Sequence, residues 1–111
     1  MVRVFIVLII LHFTEAQKKI DTWIKDHGGY WTEFQILARL TEELGEISSE
    51  LQREHGLRPN QKQTDVPAEV GDLLFTLIAF CNKKEIDLES ELHRVLKKYD
   101  VRDSNNWKER L

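Results

Sequence analysis

Apolar side chains recur every three or four residues in four stretches of the chain, which places them along one face of an α-helix in each stretch. The first stretch predicts a helix over residues 15–26. Thr14 and Gln17 have the spacing of a capping box at its start, and Gly28 with Gly29 ends it.

The second stretch is the longest. Thr32 and Gln35 repeat the capping-box spacing, and the helix that they open is expected to end at Gly56. Its apolar positions alternate between spacings of three and four, as in a heptad repeat: Leu37, Leu40, Leu44, Ile47 and Leu51. We expect these residues to form the packed seam of the helix.

Two further helices follow a polar segment, residues 57–65, which reads as a mobile surface loop. Pro67 fits the first turn of a third helix that runs to about Asn82, and its broad apolar face predicts that this helix is the most buried. Asp87 is suited to cap a fourth helix that reaches Tyr99. The fold class predicted is therefore all-α, a four-helix bundle.

The beginning of the chain differs from the rest. Residues 1–13 are almost wholly apolar apart from Arg3 and His12, and are too short to cross a bilayer, so no stable membrane insertion is expected. Three interpretations stay open: a start codon assigned too far upstream, a weak anchor or export signal, or an extension packing on the body. The helical domain is assigned to residues 14–111.

Length, charge and cysteine content narrow the range of functions that the chain can have. The 111 residues suit one domain, and a net charge of −3 with both signs interspersed does not favour binding to nucleic acid or an anionic membrane. An anionic substrate would need a local cation. The single Cys81 excludes a disulfide framework and a cysteine-based zinc site, so a cytoplasmic setting is expected.

Two pairs of acidic residues have matching spacing. Glu43 and Glu46 lie three apart in the second helix, and Glu69 and Asp72 lie three apart in the third. Residues at that spacing share a helix face, so the four carboxylates are expected to converge beside the apolar seams if the helices pack antiparallel. Such a cluster needs a cation, and oxygen ligands favour Mg²⁺, Mn²⁺ or Ca²⁺.

Other polar residues of the chain are not predicted to bind the metal directly. Glu42 and Glu50 are expected to be exposed to solvent or to contact a metal ligand rather than the metal itself. A di-iron site is disfavoured because that architecture expects E-x-x-H repeats. All four histidines fall outside the two motifs: His12, His27, His55 and His93.

The pattern E-x-x-E, a gap of 22 residues, then E-x-x-D resembles the signature of MazG-type, all-α nucleoside triphosphate pyrophosphohydrolases. Residues 38–46 and 69–75 are similar to single-domain bacterial members. The resemblance covers roughly residues 14–107, and the segment with Lys98 and Arg102 looks like the family's basic, phosphate-contacting region.

The resemblance implies cleavage of a nucleoside triphosphate between its α and β phosphates, with the four acids holding Mg²⁺, or Mn²⁺ in its place. Glu46 or Glu43 would orient the attacking water as general base. Lys98 and Arg102 would grip the β and γ phosphates, although cations at a helix C-terminus are equally well explained by the helix dipole.

Recognition of the base is left open. Trp23, Tyr30 and Trp31 are suited to stacking on a base, but aromatic residues beside a Gly-Gly turn more often belong to a core or interface. Trp107 is open to the same two interpretations. For Arg39, a solvent-facing or intersubunit salt bridge is expected rather than a substrate contact.

The broad apolar faces predict a homodimer or homotetramer formed through the central helix pair, as does the resemblance. Two other functions stay open: a phosphoribosyl-ATP pyrophosphohydrolase, and a non-catalytic helical dimerisation module whose acids are merely solvated.

Overall fold

The computed structural model describes residues 12–59 and 65–103. These residues contain four α-helices and no strand: α1 (Phe13–Asp26), α2 (Glu33–Glu54), α3 (Val66–Lys83) and α4 (Leu88–Lys98). A π-helical turn, Tyr99–Asp103, continues from α4. The predicted all-α class with four helices is confirmed. Most of the apolar segment 1–13, part of the predicted loop, and Trp107 lie outside the described residues.

The centre of the fold is the antiparallel pair α2 and α3. Two contacts fix the direction of this pair: Glu50 near the end of α2 accepts a hydrogen bond from the Asp65 backbone N–H before α3, and Lys84 after α3 reaches Glu33 at the start of α2. α3 carries the largest set of buried side chains among the described helices: Thr76, Ile78, Ala79 and Cys81. The prediction that the third helix is the most buried is confirmed.

The packed face of α2 differs from the predicted seam by one residue. Its buried side chains are Ile36, Glu43 and Glu50, spaced seven apart, with Leu40 and Ile47 half-buried between them. The remaining leucines of the predicted seam are exposed: Leu37, Leu44 and Leu51. Two of the three buried positions on the packed face are therefore carboxylates, those of Glu43 and Glu50. The expectation that the metal-binding acids only flank the packed face is wrong for Glu43.

The start of α1 also differs from the prediction. The helix begins at Phe13 after His12, whose side chain makes no capping hydrogen bond, so Thr14 lies inside the first turn and the predicted capping box with Gln17 is wrong. The Gln17 amide turns to the end of α3 and the start of α4. It donates to Asn82 Oδ1 and to the Ile86 carbonyl and accepts from the Leu88 N–H.

The other predicted helix starts are confirmed. Thr32 and Gln35 form a capping box with both reciprocal hydrogen bonds, and Pro67 lies in the first turn of α3. Asp87 caps α4 through the Ser90 N–H. α4 has no buried residue and packs chiefly on α1. Within the described ranges, no helix has the length and apolar character needed to span a membrane.

Candidate metal and nucleotide site

Three of the four predicted ligands meet where α2 faces α3. Glu43 on α2 and Glu69 and Asp72 on α3 each offer one carboxylate oxygen, and these oxygens lie within 4.8 Å of one another. The matched spacing on two antiparallel helices brings them together, because each pair occupies one side of its helix. We call Glu43, Glu69 and Asp72 the acid triad.

Glu43 is the buried member of the triad, with 3% of its surface exposed. Its Oε1 lies 2.7 Å from Arg39 Nη2, one helical turn earlier on α2. A buried carboxylate without a partner is costly, so this ion pair helps α2 to tolerate a charge inside its packed face. The other guanidinium nitrogen of Arg39, Nη1, contacts the exposed Glu42 at 3.2 Å. The expected salt bridge of Arg39 is therefore made within its own helix.

Glu69 lies among the other acidic side chains of both helices. Partial burial raises its pKa, and four neighbouring carboxylates raise it further: Asp72, Glu43, Glu46 and Glu50. Each of these charges disfavours ionisation of Glu69 because like charges repel at short range. The acidic side chains of both helices are thus concentrated around Glu69.

Glu46 is exposed and does not belong to the acid triad. It is nevertheless close enough for its charge to act on Glu69. Glu42 is exposed, as expected, whereas Glu50 is 3% exposed and bonded at both oxygens, so the solvated alternative does not apply to it. The sequence signal for Glu50 was its spacing of seven from Glu43 along α2.

An open cavity of about 420 Å³ lies against the triad. Asp72 and Arg39 line it on the acidic side, so one member of the triad and the ion-pair partner of another face the cavity. The remaining lining is mainly aromatic and apolar. It includes Trp23, His27, Tyr30, Trp31, Ile36, Phe75 and Ala79. A charged edge and an aromatic interior suit a ligand with an anionic end and a flat ring.

Aromatic contacts shape the cavity wall. The Trp23 ring stacks on His27 with centroids 4.0 Å apart and meets Phe75 edge-on at 5.7 Å. The Tyr30 hydroxyl donates to Asp21 at 2.6 Å, and burial together with this bond raises the pKa of Tyr30 to about 12. His27 and Phe75 were not predicted as site residues, although Phe75 lies three residues after Asp72 and hence on its side of α3.

Lys98 and Arg102 are exposed near the end of the described chain, and neither lines the cavity. The Lys98 ammonium lies 5.1 Å from the centroid of the Tyr99 ring. The contact of Lys98 and Arg102 with substrate phosphates stays a prediction.

The donor set of the triad fits a hard divalent cation. All three groups are carboxylates, and no nitrogen or sulfur ligand among residues 12–59 and 65–103 accompanies them. Two helices hold the three oxygens within 4.8 Å of one another. Two further carboxylates, Glu46 and Glu50, add negative potential. This chemistry favours Mg²⁺ or Mn²⁺ over zinc.

Similar sequences and structures assign the chain to a family. Residues 32–107 match the family model of the MazG nucleotide pyrophosphohydrolase domain. YpjD, an uncharacterized protein of Bacillus subtilis strain 168, is 35% identical over 97 residues, which cover 84% of this chain and 87% of YpjD.

Two crystal structures have similar folds. That of Bacillus subtilis YpjD has a TM-score of 0.72 and 33% identity, covering 81% of this chain and 96% of YpjD. That of a Bacillus-conserved MazG protein, a nucleotide pyrophosphohydrolase, has a TM-score of 0.72 and 32% identity, covering 87% of this chain and 98% of that one. The chain therefore belongs to the MazG nucleotide pyrophosphohydrolase family.

Proposed function

We propose that this protein is a Mg²⁺-dependent pyrophosphohydrolase that converts an NTP or dNTP to its monophosphate and pyrophosphate, as part of nucleotide-pool housekeeping. One observation carries the proposal: three carboxylates from two helices converge beside an aromatic cavity. The site thus offers a place for a metal-bound triphosphate next to a place for a base. The single buried Cys81 supports a reducing, cytoplasmic setting.

In this proposal Glu43, Glu69 and Asp72 hold the cation. When bound, Mg²⁺ would supply positive charge to the phosphoryl oxygens and a water of lowered pKa. The buried Glu43 fixes one ligand in place, because its packed surroundings and its bond to Arg39 leave the side chain little freedom. The more exposed Asp72 lines the cavity and faces the substrate.

Glu46 is our choice of general base. It is exposed beside the triad, whereas Glu43 is buried and already paired with Arg39. An accessible carboxylate can take a proton from a water that attacks the phosphoanhydride between the α and β phosphates. The bond to the bridging oxygen then breaks, and pyrophosphate leaves.

The aromatic cavity is the proposed site for the nucleobase. Trp23 presents a large exposed ring to it, and a flat base stacks favourably on such a surface whatever its hydrogen-bonding pattern. Lys98 and Arg102 are retained as proposed contacts of the β and γ phosphates. Lys98 ends α4 and Arg102 lies in the π-helical turn that follows, outside the triad's own helices, so a second subunit is the proposed source of these cations.

A homodimer or homotetramer is also part of the proposal. Leu37, Leu44 and Leu51 form an exposed stripe along α2, and α3 adds further exposed apolar residues. These residues are Val70, Leu74 and Leu77. Covering such a surface with a second copy would remove apolar area from water and complete the core of the central helix pair.

A pyrophosphate-release assay tests the proposed activity. The panel should contain canonical and modified NTPs and dNTPs together with phosphoribosyl-ATP, each with Mg²⁺, Mn²⁺ or EDTA. We expect metal-dependent release from at least one nucleoside triphosphate. Glu46→Gln should lower kcat by at least about a hundredfold, the usual contribution of a general base.

The matched control is Glu42→Gln, which removes an exposed carboxylate on the same helix and should leave kcat within about twofold of the wild-type value. Activity on phosphoribosyl-ATP alone would favour the second enzyme. Absence of release from every compound, together with no Mg²⁺ binding by calorimetry, would instead favour the non-catalytic module.

A further inference from the structure

Glu50 is a buried acid that the proposed mechanism does not use. It lies seven residues after Glu43 on the packed face of α2, and 3% of its surface is exposed. Burying a carboxylate costs several kcal/mol unless hydrogen bonds and an opposite charge compensate for the lost water, so this position needs an explanation.

Both oxygens of Glu50 are occupied by donors. Oε1 accepts from Arg53 Nη1 at 3.1 Å, and Oε2 accepts from the backbone N–H of Asp65 at 3.1 Å. Arg53 comes from the same helix, whereas Asp65 lies on the far side of the connection between α2 and α3. The second bond therefore joins two elements that are 15 residues apart in sequence.

Asp65 is the N-cap residue of α3. Its side chain accepts from the Ala68 N–H, and its carbonyl accepts from the Glu69 N–H at 3.3 Å. The bonds thus run from the Glu50 carboxylate through Asp65 into the first turn of α3, which carries the triad member Glu69. Asp72 follows one turn later on the same helix.

We propose that Glu50 is a positioning residue for the divalent cation site: by anchoring the N-cap of α3 to α2, it sets the distance between Glu43 and the two acids of α3. The inference rests on the proposed metal-dependent function. Glu50 is not one of the three acids whose oxygens meet, and the donors at both of its oxygens assign it to the support of the site.

Glu50→Asp is the variant that separates position from charge. It keeps the negative charge but shortens the side chain by one carbon–carbon bond, about 1.5 Å, so the carboxylate no longer reaches the Asp65 N–H. Glu50→Gln is the second variant: it keeps the length but has one acceptor oxygen for two donors. Glu54→Gln, an exposed change one turn later, is the matched control.

The readout is the Mn²⁺ dissociation constant, measured by calorimetry well below each variant's unfolding temperature, which is followed by circular dichroism. We expect Glu50→Asp to weaken binding at least tenfold and Glu54→Gln to stay within twofold of wild type. Glu50→Gln should weaken binding less than Glu50→Asp, because its amide oxygen can still accept from the Asp65 N–H. If one Glu50 variant does not fold, the other decides.

Wild-type affinity in folded Glu50→Asp would overturn the inference, because charge without reach would then suffice. A loss in folded Glu50→Gln as large as that in Glu50→Asp would overturn it as well, because charge rather than reach would then set the affinity. Failure of the wild-type protein to bind Mn²⁺ or Mg²⁺ would count against the proposed function itself and is thereby distinguished from failure of the inference.

Discussion

Glu43 and Glu46 lie less than one helical turn apart, yet their surroundings differ. Three residues correspond to about 300° around an α-helix, so the two side chains point about 60° apart. That angle places Glu43 in the packed face beside Arg39 and leaves Glu46 in solvent. The spacing alone predicted that both face the third helix, but the rotation of α2 decides which one is buried.

The raised pKa of Glu69 predicts how stability depends on pH without metal. The folded state holds a proton on Glu69 more tightly than the unfolded state does, so stability increases as the pH falls through the folded-state pKa toward 4.5. Above that pKa the charged Glu69 destabilises the fold. In EDTA at pH 7, Glu69→Gln should therefore unfold at a higher temperature than wild type.

Thermal unfolding of both proteins between pH 4 and 8 measures this effect, and the difference should shrink as the pH falls. Adding Mg²⁺ at pH 7 should reverse the order, because only wild type keeps the full triad. The exposed change Glu54→Gln serves as control and should behave like wild type. A difference between wild type and Glu69→Gln that is independent of pH would contradict the assigned cause.

Trp23 should contribute to substrate binding more than to chemistry. Stacking on a base is worth about 1–3 kcal/mol, so Trp23→Leu should raise KM about tenfold while kcat changes little. Steady-state kinetics of the best substrate from the nucleotide panel provide the measurement. Phe34→Leu is the control, because Phe34 is exposed and does not line the cavity. Equal KM values for wild type and Trp23→Leu would contradict the proposal that the base binds in this cavity.

At the scale of helices, the sequence predicted most helix boundaries correctly but did not predict which face of α2 is packed. Capping residues are local signals, and Thr32, Pro67 and Asp87 each mark a helix start that the structure contains. The packed face of α2 depends instead on tertiary contacts. A stripe through Leu44 and a stripe through Glu43 have the same period, and hydrophobicity favours the leucines.

The burial of Glu43 and Glu50 reverses that choice: carboxylates lie where packing alone would put leucine, and each has an arginine partner on α2. Gln17 in α1 is a second case in which a local pattern was misleading. Its spacing from Thr14 suits a local cap, but its amide forms hydrogen bonds at the end of α3 and the start of α4 instead. Local patterns cannot reveal partners that lie more than 60 residues away.

The hydrogen bonds of the Gln17 side chain are expected to stabilise the packing of α1 against α3 and α4. Gln17→Leu would leave the Ile86 carbonyl and the Leu88 N–H without their side-chain partner and remove the bond to Asn82 Oδ1. Each unsatisfied buried group costs about 1–3 kcal/mol, and these groups are only partly buried, so we expect a loss of about 2–3 kcal/mol. Urea unfolding measures it. Lys18→Ala, an exposed neighbour, should change stability by less than about 0.5 kcal/mol.

At the scale of the whole molecule, the exposed stripe on α2 predicts the assembly. Leu44 lies at the middle of that stripe with more than half of its surface exposed. Leu44→Lys would place a charge in the proposed interface, so light scattering should show a monomer in place of a dimer or tetramer. Leu57→Lys changes an exposed leucine beyond the end of α2 and should leave the mass unchanged. An unchanged mass for Leu44→Lys would exclude this stripe as the interface.

The buried Cys81 gives the molecule a built-in chemical reporter. It is the chain's one cysteine, it lies in the most buried part of α3, and burial raises the pKa of its thiol, so little reactive thiolate exists at neutral pH. A thiol reagent can modify it only when α3 separates from its neighbours. The rate of labelling would therefore report how often the helix pair that carries the acid triad opens. A bound cation or nucleotide should slow the labelling.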